Sequence, residues 1–272
     1  MHELIIEAGR TERQYWKDLW RYRELFYFLA WRDLLIRYKQ TVVGVTWAVI
    51  RPFLTMVVLT IVFGRLADMP SGGVPYPLLV LCGMLPWQFF STAVSECGSS
   101  LVTNSSLISK VYFPRMTVPA SSVITSLVDL VLSAGLLVLL MAWYQYVPGP
   151  RVVLLPLFVL MTFAAAFGFG VWVSALMVKY RDFRFIVPFL VQFGLYISPV
   201  GFTSQVVPEQ WRLLYSLNPM VGAIDGFRWA ILDNNAALYW PGFLLSLVVV
   251  GLLLTTGIHY FRKTERTFAD VI

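Results

Sequence analysis

Charged residues are scarce in this sequence. Asp, Glu, Lys and Arg together make up 13% of the 272 residues, about half the share that is usual in a soluble domain. Hydrophobic residues make up 58%, and the mean hydropathy is +0.71. This composition excludes an ordinary soluble domain. It predicts an all-α integral membrane protein that forms one domain over residues 1–272.

Residues with catalytic or metal-binding chemistry are also few. The only cysteines are Cys82 and Cys97, the only histidines are His2 and His259, and neither pair has the spacing of a metal site. The phosphate-binding loop of nucleotide hydrolases requires a Gly-Lys pair, which the sequence lacks. We therefore expect no catalytic residue, no metal and no cofactor bound by this chain, and no enzyme activity of its own.

Six stretches are apolar enough to cross a hydrocarbon layer about 30 Å thick, which takes about 20 helical residues. They are approximately residues 41–64, 74–97, 118–144, 152–178, 185–203 and 238–261. Pro86 in the second and Pro188 in the fifth predict kinks in those two spans.

The positive charges predict the orientation in the membrane. With six spans, the segments on the side of the N-terminus contain 16 of the 21 Lys and Arg residues and the opposite side contains 4, while Arg51 lies within the first span. Cytoplasmic loops carry the excess of positive charge, so both termini are predicted to be cytoplasmic. The net charge of +6 follows from this topology and does not indicate a nucleic-acid partner.

Residues 13–38 form an amphipathic pattern interrupted at Asp33. The apolar positions at helical spacing are Tyr15, Leu19, Tyr22, Phe26, Leu29 and Ile36, and Arg13, Lys17, Arg21 and Glu24 occupy another face. Such a helix is typical of a segment that lies on the membrane surface and contacts lipid. An ordinary packed cytoplasmic helix is the alternative.

Two segments between the spans have patterns of their own. Residues 204–237, on the outer side, predict two short helices separated at Asn218-Pro219; a plain connecting loop is the alternative. Residues 98–117, on the cytoplasmic side, carry apolar side chains on a segment that faces water, which indicates a protein partner. Those side chains belong to Leu101, Leu107, Ile108, Val111, Tyr112 and Phe113.

Two ionisable residues fall within the predicted spans. Arg51 either lines a polar conduit for the transported molecule, or pairs with Asp129, or extends its side chain to the cytoplasmic interface. For Asp129 a structural role is favoured.

Aromatic and small residues within the spans predict packing surfaces. Trp87, Phe89 and Phe90 are candidates to stack on sugar rings along a path, although packing between helices is the commoner use of such residues. The ridge of Ala166, Gly170 and Ser174 predicts a close helix–helix contact.

Several runs of residues occur in the order found in one family of transporters. They are RYKQTVVGVTWA at 37–48 followed by Arg51-Pro52, VFGRL at 62–66, GMLPWQFF at 83–90, LISKVYFPR at 107–115, and the segment from Asn218-Pro219-Met220 to Gly226-Phe227-Arg228-Trp229-Ala230. In this order they make the chain similar to the permease subunits of ABC transporters that export O-antigen or capsular polysaccharide. The resemblance extends over nearly the whole chain.

The resemblance implies a homodimer of six-helix subunits in the bacterial inner membrane, paired with two copies of a separate ATPase that binds ATP and Mg. It implies a lipid-linked glycan as substrate. It assigns contact with the ATPase to Asn104, Leu107, Ile108, Lys110, Val111, Tyr112, Phe113, Pro114 and Arg115. It makes the outer helices short re-entrant gate helices at the periplasmic exit, with Trp211, Asn218, Pro219, Phe227 and Arg228 as gate residues.

Other functions remain open on the sequence alone. The same architecture could export a smaller molecule such as a drug, an antibiotic or a lipid. A membrane enzyme acting on lipid-linked sugars would need ionisable residues that converge at one interface, whereas Glu96, Asp129 and Asp225 are scattered. A proton-driven transporter would need carboxylates in several spans.

Overall fold

The computed structural model describes residues 12–39, 44–232 and 238–268. These residues form helices joined by turns and short extended links, and no strand occurs among them. The α-helices are α1 (Glu12–Arg21), α2 (Arg23–Tyr38), α3 (Gly44–Leu59), α4 (Tyr76–Thr103), α5 (Ser105–Lys110), α6 (Thr117–Trp143), α7 (Leu155–Lys179), α8 (Phe183–Ile197), α9 (Glu209–Tyr215), α10 (Pro219–Leu232) and α11 (Trp240–Thr264). The all-α prediction is confirmed.

Five of the predicted spans are confirmed as helices long and apolar enough to cross a membrane. They are Val49–Leu66, Tyr76–Thr103, Thr117–Trp143, Pro150–Lys179 and Trp240–Thr264. The first continues from α3 through a π-helical stretch, Thr60–Leu66, and the fourth includes the 3-10 turn Pro150–Leu154 before α7. Of the RYKQTVVGVTWA run, residues 40–43 lie outside the part of the chain that the structure describes.

The remaining predicted span, 185–203, is only partly helical. Helix α8 has 15 residues, about 22 Å at 1.5 Å per residue. The chain then leaves the helix at Ser198, whose backbone is extended, because Pro199 follows it and a proline disfavours helical backbone in the residue before it. The apolar composition of residues 198–203 therefore misled the prediction of a longer helix.

Both described chain ends lie at the same end of the helix bundle. The Tyr15 hydroxyl, in α1, donates a hydrogen bond of 3.0 Å to the Glu265 carboxylate, directly after α11. We call the end of the bundle that carries Tyr15 and Glu265 the terminal end. The opposite end, which carries Gly72 and Ser204, is the far end. The described residues contain five helices that are long and apolar enough to cross a membrane, and α8 is a shorter apolar helix.

Helix α4 forms the centre of the bundle and packs against α6, α7 and α10. A helix that is apolar on all sides is enclosed by protein or by lipid, and α4 is enclosed by protein, because nearly every side chain from Leu78 to Phe90 is buried. The predicted ridge of Ala166, Gly170 and Ser174 is buried as well. Gly170 brings α7 so close to α4 that an added Cβ would lie 2.8 Å from the Cys97 sulfur.

The N-terminal segment is helical, as predicted, but its break and its exposed face differ from the prediction. The break falls at Tyr22, and Asp33 lies inside α2. Much of the predicted lipid face packs on the protein core, including Tyr15, Leu19, Tyr22 and Leu29. The exposed aromatic side chains are instead Trp20, Tyr27, Phe28 and Trp31. This second aromatic face is suited to contact with lipid headgroups and acyl chains.

Helices α7 and α11 approach each other through glycine. An added Cβ on Gly257 would lie 2.1 Å from the carbonyl oxygen of Gly168, whereas one on Gly251, in the same helix, would meet nothing within 4 Å. The contact between these two helices therefore depends on the missing side chain at position 257.

We predict opposite effects for alanine at these two glycines. Gly257→Ala should lower the stability of the purified protein, because overpacking against a backbone costs about 1–3 kcal/mol. Gly251→Ala should leave stability unchanged or raise it by up to about 1 kcal/mol, because alanine is the better helix former. Thermal unfolding in detergent measures both variants. Equal melting temperatures would contradict the close packing of α7 on α11.

Candidate functional site

The segment predicted to contact an ATPase forms a single feature at the terminal end. Helix α4 ends at Thr103, Asn104 joins it to α5, and residues 111–116 lead into α6. The Asn104 side chain donates to the carbonyl of Ser100 at 2.9 Å, which stabilises the end of α4. The structure thus brings the predicted residues 104–115 together on one short element.

The side chains of this element divide into an outward and an inward set. Val111 and Tyr112 are 50% and 54% exposed, and Lys110 is exposed beside them. Ile108, Phe113 and Pro114 are buried. The backbone is extended at Val111, and the exposure changes sharply from Tyr112 to Phe113, which is 5% exposed. A partner can touch only the outward set, and the buried residues anchor the element.

A polar cluster ties α2 to α4 and α6. The Arg37 guanidinium donates to the Asp129 carboxylate at 2.6 Å and to the Glu96 carboxylate at 2.7 Å. The Tyr38 hydroxyl also donates to Asp129. Burial and the Asp129 carboxylate raise the pKa of Tyr38 well above its usual range, so the phenol keeps its proton. This arrangement gives Asp129 the structural role that the sequence favoured.

Arg51 is not the partner that Asp129 uses. Its side chain is exposed on the surface of the subunit, within the first turns of the span Val49–Leu66. The suggested pairing of Arg51 with Asp129 is therefore wrong. Arg51 sits close to the start of its span, where a long side chain can reach the interface.

Trp87, Phe89 and Phe90 are buried between helices. The rings of Trp87 and Phe90 are 5.7 Å apart, and Phe89 and Phe90 pack on Phe163 and Phe169 of α7. In this subunit they lie where side chains pack and not where a path could run. The placement agrees with the alternative of helix packing.

Arg228 is a buried cation at the far end, 6% exposed. Its guanidinium donates to the carbonyl oxygens of Leu79 at 3.1 Å, Phe202 at 2.7 Å and Val200 at 2.7 Å. These contacts join α10 to α4 and to the extended residues after α8. Gly83 leaves room for the guanidinium, because an added Cβ there would lie 2.6 Å from its nitrogen.

The predicted pair of short outer helices is present as α9 and α10. The Asn218 carbonyl oxygen accepts from the Met220 backbone N–H at 3.0 Å, the usual cap at a helix start. Its amide donates to the Ser198 hydroxyl at 2.9 Å, and the Tyr215 hydroxyl donates to the Ile197 carbonyl at 2.7 Å. The junction of the two helices is therefore fastened to the end of α8.

The other predicted residues of this region differ in exposure. Phe227 is buried, whereas Trp211 is exposed on α9. Residues 233–237, at the end of the predicted gate region, lie outside the described residues. A cavity of about 810 Å³ opens between α9, α10 and the α3–α4 loop, and its wall includes Asp225, Arg228 and Trp229. The region thus combines a rigid inner helix with an exposed outer one.

Reasoning from the sequence missed the contacts between the chain ends and the candidate coupling element. The Arg32 guanidinium donates to the Asn104 side chain at 2.7 Å, and Arg115 donates to the carbonyl of Glu265. Nothing in the local pattern pairs residues so far apart in the chain. The only signal was that a carboxylate or guanidinium near a membrane requires a partner.

We predict that Arg228→Met destabilises the fold. Three carbonyl groups would lose their donor, at a cost of about 1–3 kcal/mol for each one left unsatisfied. Arg65→Met, at an exposed position of the same end, should change stability by no more than about 0.5 kcal/mol. Thermal unfolding of both variants in detergent tests this. A wild-type melting temperature for Arg228→Met would show that these hydrogen bonds do not hold α10 in place.

Comparison with known proteins agrees with this architecture. The family model described as ABC-2 type transporter matches residues 24–232. The O-antigen export system permease protein RfbA of Myxococcus xanthus is 29% identical over 260 residues, covering 94% of this chain and 98% of that protein. An RfbA protein of Klebsiella pneumoniae is 25% identical, with 92% and 95% covered, and the polysialic acid transport protein KpsM of Escherichia coli is 20% identical, with 86% and 91% covered. The chain therefore belongs to the ABC-2 type transporter family of membrane proteins.

Proposed function

We propose that this chain is the membrane permease subunit of an ABC transporter that exports a lipid-linked polysaccharide, of O-antigen or capsular type, across the bacterial inner membrane. Two copies form the path, and two copies of a separate ATPase supply ATP, Mg and the energy. The terminal end faces the cytoplasm, and the far end faces the periplasm. The chain itself performs no hydrolysis.

The observation that carries this proposal is the outward face of the candidate coupling element. Lys110, Val111 and Tyr112 are exposed on a short element whose other face is anchored in the bundle. An exposed aromatic beside a cation is typical of the contact that dominates a protein–protein interface. A permease without a phosphate-binding loop requires such a surface, since its energy comes from another chain.

The substrate class is inferred from the relatives. Three proteins that each align with most of this chain are named for the export of O-antigen or the transport of polysialic acid. Both are polysaccharides, so the chemistry common to them is a long, hydrated glycan. Such a polymer must slide, and a path that binds it weakly at many points allows sliding, whereas one tight site would stop it.

An aromatic stripe on α8 fits this requirement better than the buried Trp87, Phe89 and Phe90. Phe185, Phe189, Phe193 and Tyr196 lie on the exposed side of α8 at helical spacing, and Phe185 is 78% exposed. The rings of Phe189 and Phe193 stack 6.0 Å apart. We place the glycan path along this stripe, where it faces a second copy of the chain, because the apolar faces of sugar rings pack on aromatic rings.

The movement proposed is that of a lever. Closure of the ATPase dimer displaces the coupling element, which is continuous with α4 through Asn104 and with α6 through Pro114 and Arg115. Because α4 is the central helix, its displacement moves the bundle as a whole and separates the two copies. At the periplasmic side α9, with its exposed Trp211, acts as the movable part of the gate. Phe227 and Arg228 hold α10 as its fixed part.

Co-expression with the cognate ATPase tests the function as a whole. Both chains should copurify, and a strain that lacks this gene should lose its surface glycan and regain it on complementation. Loss of efflux of a small molecule, with the surface glycan intact, would favour the smaller-substrate alternative. Failure of the chain to bind its ATPase would contradict the proposal.

We predict that Tyr112→Ala weakens ATPase binding by about tenfold or more, since loss of a central aromatic contact typically costs more than 1 kcal/mol. The subunit should remain folded, because Tyr112 is exposed. Tyr144→Ala removes an exposed tyrosine from the far end and should leave binding unchanged. Binding of the purified ATPase to the permease in nanodiscs measures both. Equal affinity of the Tyr112→Ala variant and the wild type for the ATPase would show that this face does not contact the ATPase.

We also predict that the double variant Phe189→Ala, Tyr196→Ala reduces glycan export per molecule of ATP hydrolysed, because two stacking positions are lost from the path. Each single variant should have a smaller effect, as expected for many weak contacts. Leu247→Ala, at an exposed position of α11, is the control. Radiolabelled glycan counted in proteoliposomes gives the export rate. Wild-type export by the double variant would place the path elsewhere.

A further inference from the structure

Both ends of the coupling element are held by the terminal regions of the chain. At its start, the Arg32 guanidinium of α2 donates to the Asn104 side chain at 2.7 Å. Asp33 accepts from the same guanidinium at 2.8 Å and fixes its direction. Asn104 is the residue at which α4 passes into α5. The N-terminal region is thus bound to the first hinge of the element.

At its end, the element contacts both chain termini at one point. Arg115 donates a hydrogen bond to the backbone carbonyl of Glu265. The Glu265 carboxylate in turn accepts from the Tyr15 hydroxyl at 3.0 Å. Residues from α1, from the coupling element and from the turn after α11 therefore meet at the second hinge.

The hydrogen bond at this junction requires that the Tyr15 hydroxyl keep its proton. Burial and the adjacent Glu265 carboxylate raise the pKa of Tyr15 far above its usual range. The phenol therefore keeps its proton and remains a donor throughout the physiological pH range. The Arg262 guanidinium lies 4.3 Å from the centre of the Tyr15 ring, a contact that adds an attraction between the cation and the ring.

The turn that presents Glu265 is itself anchored. Phe268 is fully buried and packs edge-to-face on Phe261 of α11, with ring centres 5.4 Å apart. Glu265–Thr267 form a single 3-10 turn between these two rings. The carbonyl that accepts from Arg115 is therefore held by the core.

We propose that the two terminal segments form a clamp, in which Tyr15, Arg32 and Glu265 are positioning residues that make the coupling element transmit force to the bundle. The proposal rests on the proposed function. Helix α5 has only 6 residues, too few for a helix to be stable without tertiary contacts. If its hinges were free, movement of the ATPase would deform this short element locally. With both hinges clamped, the movement passes to α4 and α6.

Variants that lose a clamp contact should be defective in the coupling of glycan export to ATP hydrolysis. Loss of a clamp contact should leave the ATPase bound and hydrolysing ATP, because Lys110, Val111 and Tyr112 are untouched. Less glycan should be exported for each ATP hydrolysed. A residue that merely stabilised the fold would lower both rates together and leave their ratio unchanged.

A double-mutant cycle on the complete transporter in proteoliposomes tests the clamp. We expect Tyr15→Phe and Glu265→Ala each to lower the ratio of glycan export to ATP hydrolysis by about threefold to tenfold, which corresponds to the net contribution of one typical hydrogen bond. The double variant should be no worse than either single variant, because both remove the same contact. Glu265→Gln keeps an acceptor for the phenol and should retain most of the coupling. Tyr144→Phe, which removes a hydroxyl at the far end, is the control.

Arg32→Met tests the contact at the first hinge, Asn104, independently of Tyr15 and Glu265. It should lower the same ratio, and its effect should add to that of Tyr15→Phe, since the two contacts share no partner. An unchanged ratio in both Tyr15→Phe and Glu265→Ala would overturn the clamp. So would a fall in export and hydrolysis by the same factor. If the wild-type chain neither binds its ATPase nor exports glycan, the proposed function fails and the clamp fails with it.

Discussion

In the hydrocarbon layer every polar group must find its partner within the protein, and much of this structure follows from that constraint. Arg228 meets it by donating to three backbone carbonyls contributed by two other parts of the chain. Those carbonyls are available only because the chain leaves the helix after Ile197. The length of α8, the path of the chain after it and the position of α10 therefore depend on one another. Asp129 meets the same constraint through Arg37 and Tyr38, which bind α2 to the bundle.

Tight packing governs the remaining contacts, because lipid offers little hydrophobic driving force between helices. Gly168 and Gly257 let α7 and α11 approach to backbone distance, and Gly170 lets α7 pack directly on the Cys97 side chain of α4. Aromatic rings then fill the space between the helices, as Phe89 does against Phe163. A bundle packed in this way moves as a unit. A displacement applied at one of its ends is therefore conveyed to the other with little loss.

The sequence predicted the fold at the level of composition and pattern. Hydropathy located five long spans, three of them to within about three residues, while the first begins 8 residues later than predicted and the second ends 6 residues later. It overestimated the helix in residues 198–203, because their apolar composition outweighed the helix-ending effect of Pro199. It also predicted the wrong apolar face for residues 13–38. Periodicity identifies a face but not whether protein or lipid covers it.

The predicted sites show the same division between local and tertiary information. The runs that resemble the transporter family are contiguous in sequence, and they coincide with the candidate coupling element and the two outer helices. The burial of Phe113 was not predicted, because it depends on the core residues that pack around it. The Arg32–Asn104 and Arg115–Glu265 contacts join residues 72 and 150 positions apart. No pattern within a single segment specifies such pairs.

The packing of α4 also determines where a polymer can pass. Leu78, Leu79, Val80 and Leu81 are each at most 1% exposed, so the centre of the subunit is closed by side chains at the density of a protein interior. Opening a bore there would require α4 to separate from α6, α7 and α10 at once. In the proposed dimer, a path between the two copies would leave these contacts of α4 intact. We therefore place the proposed glycan path between copies and not inside one subunit.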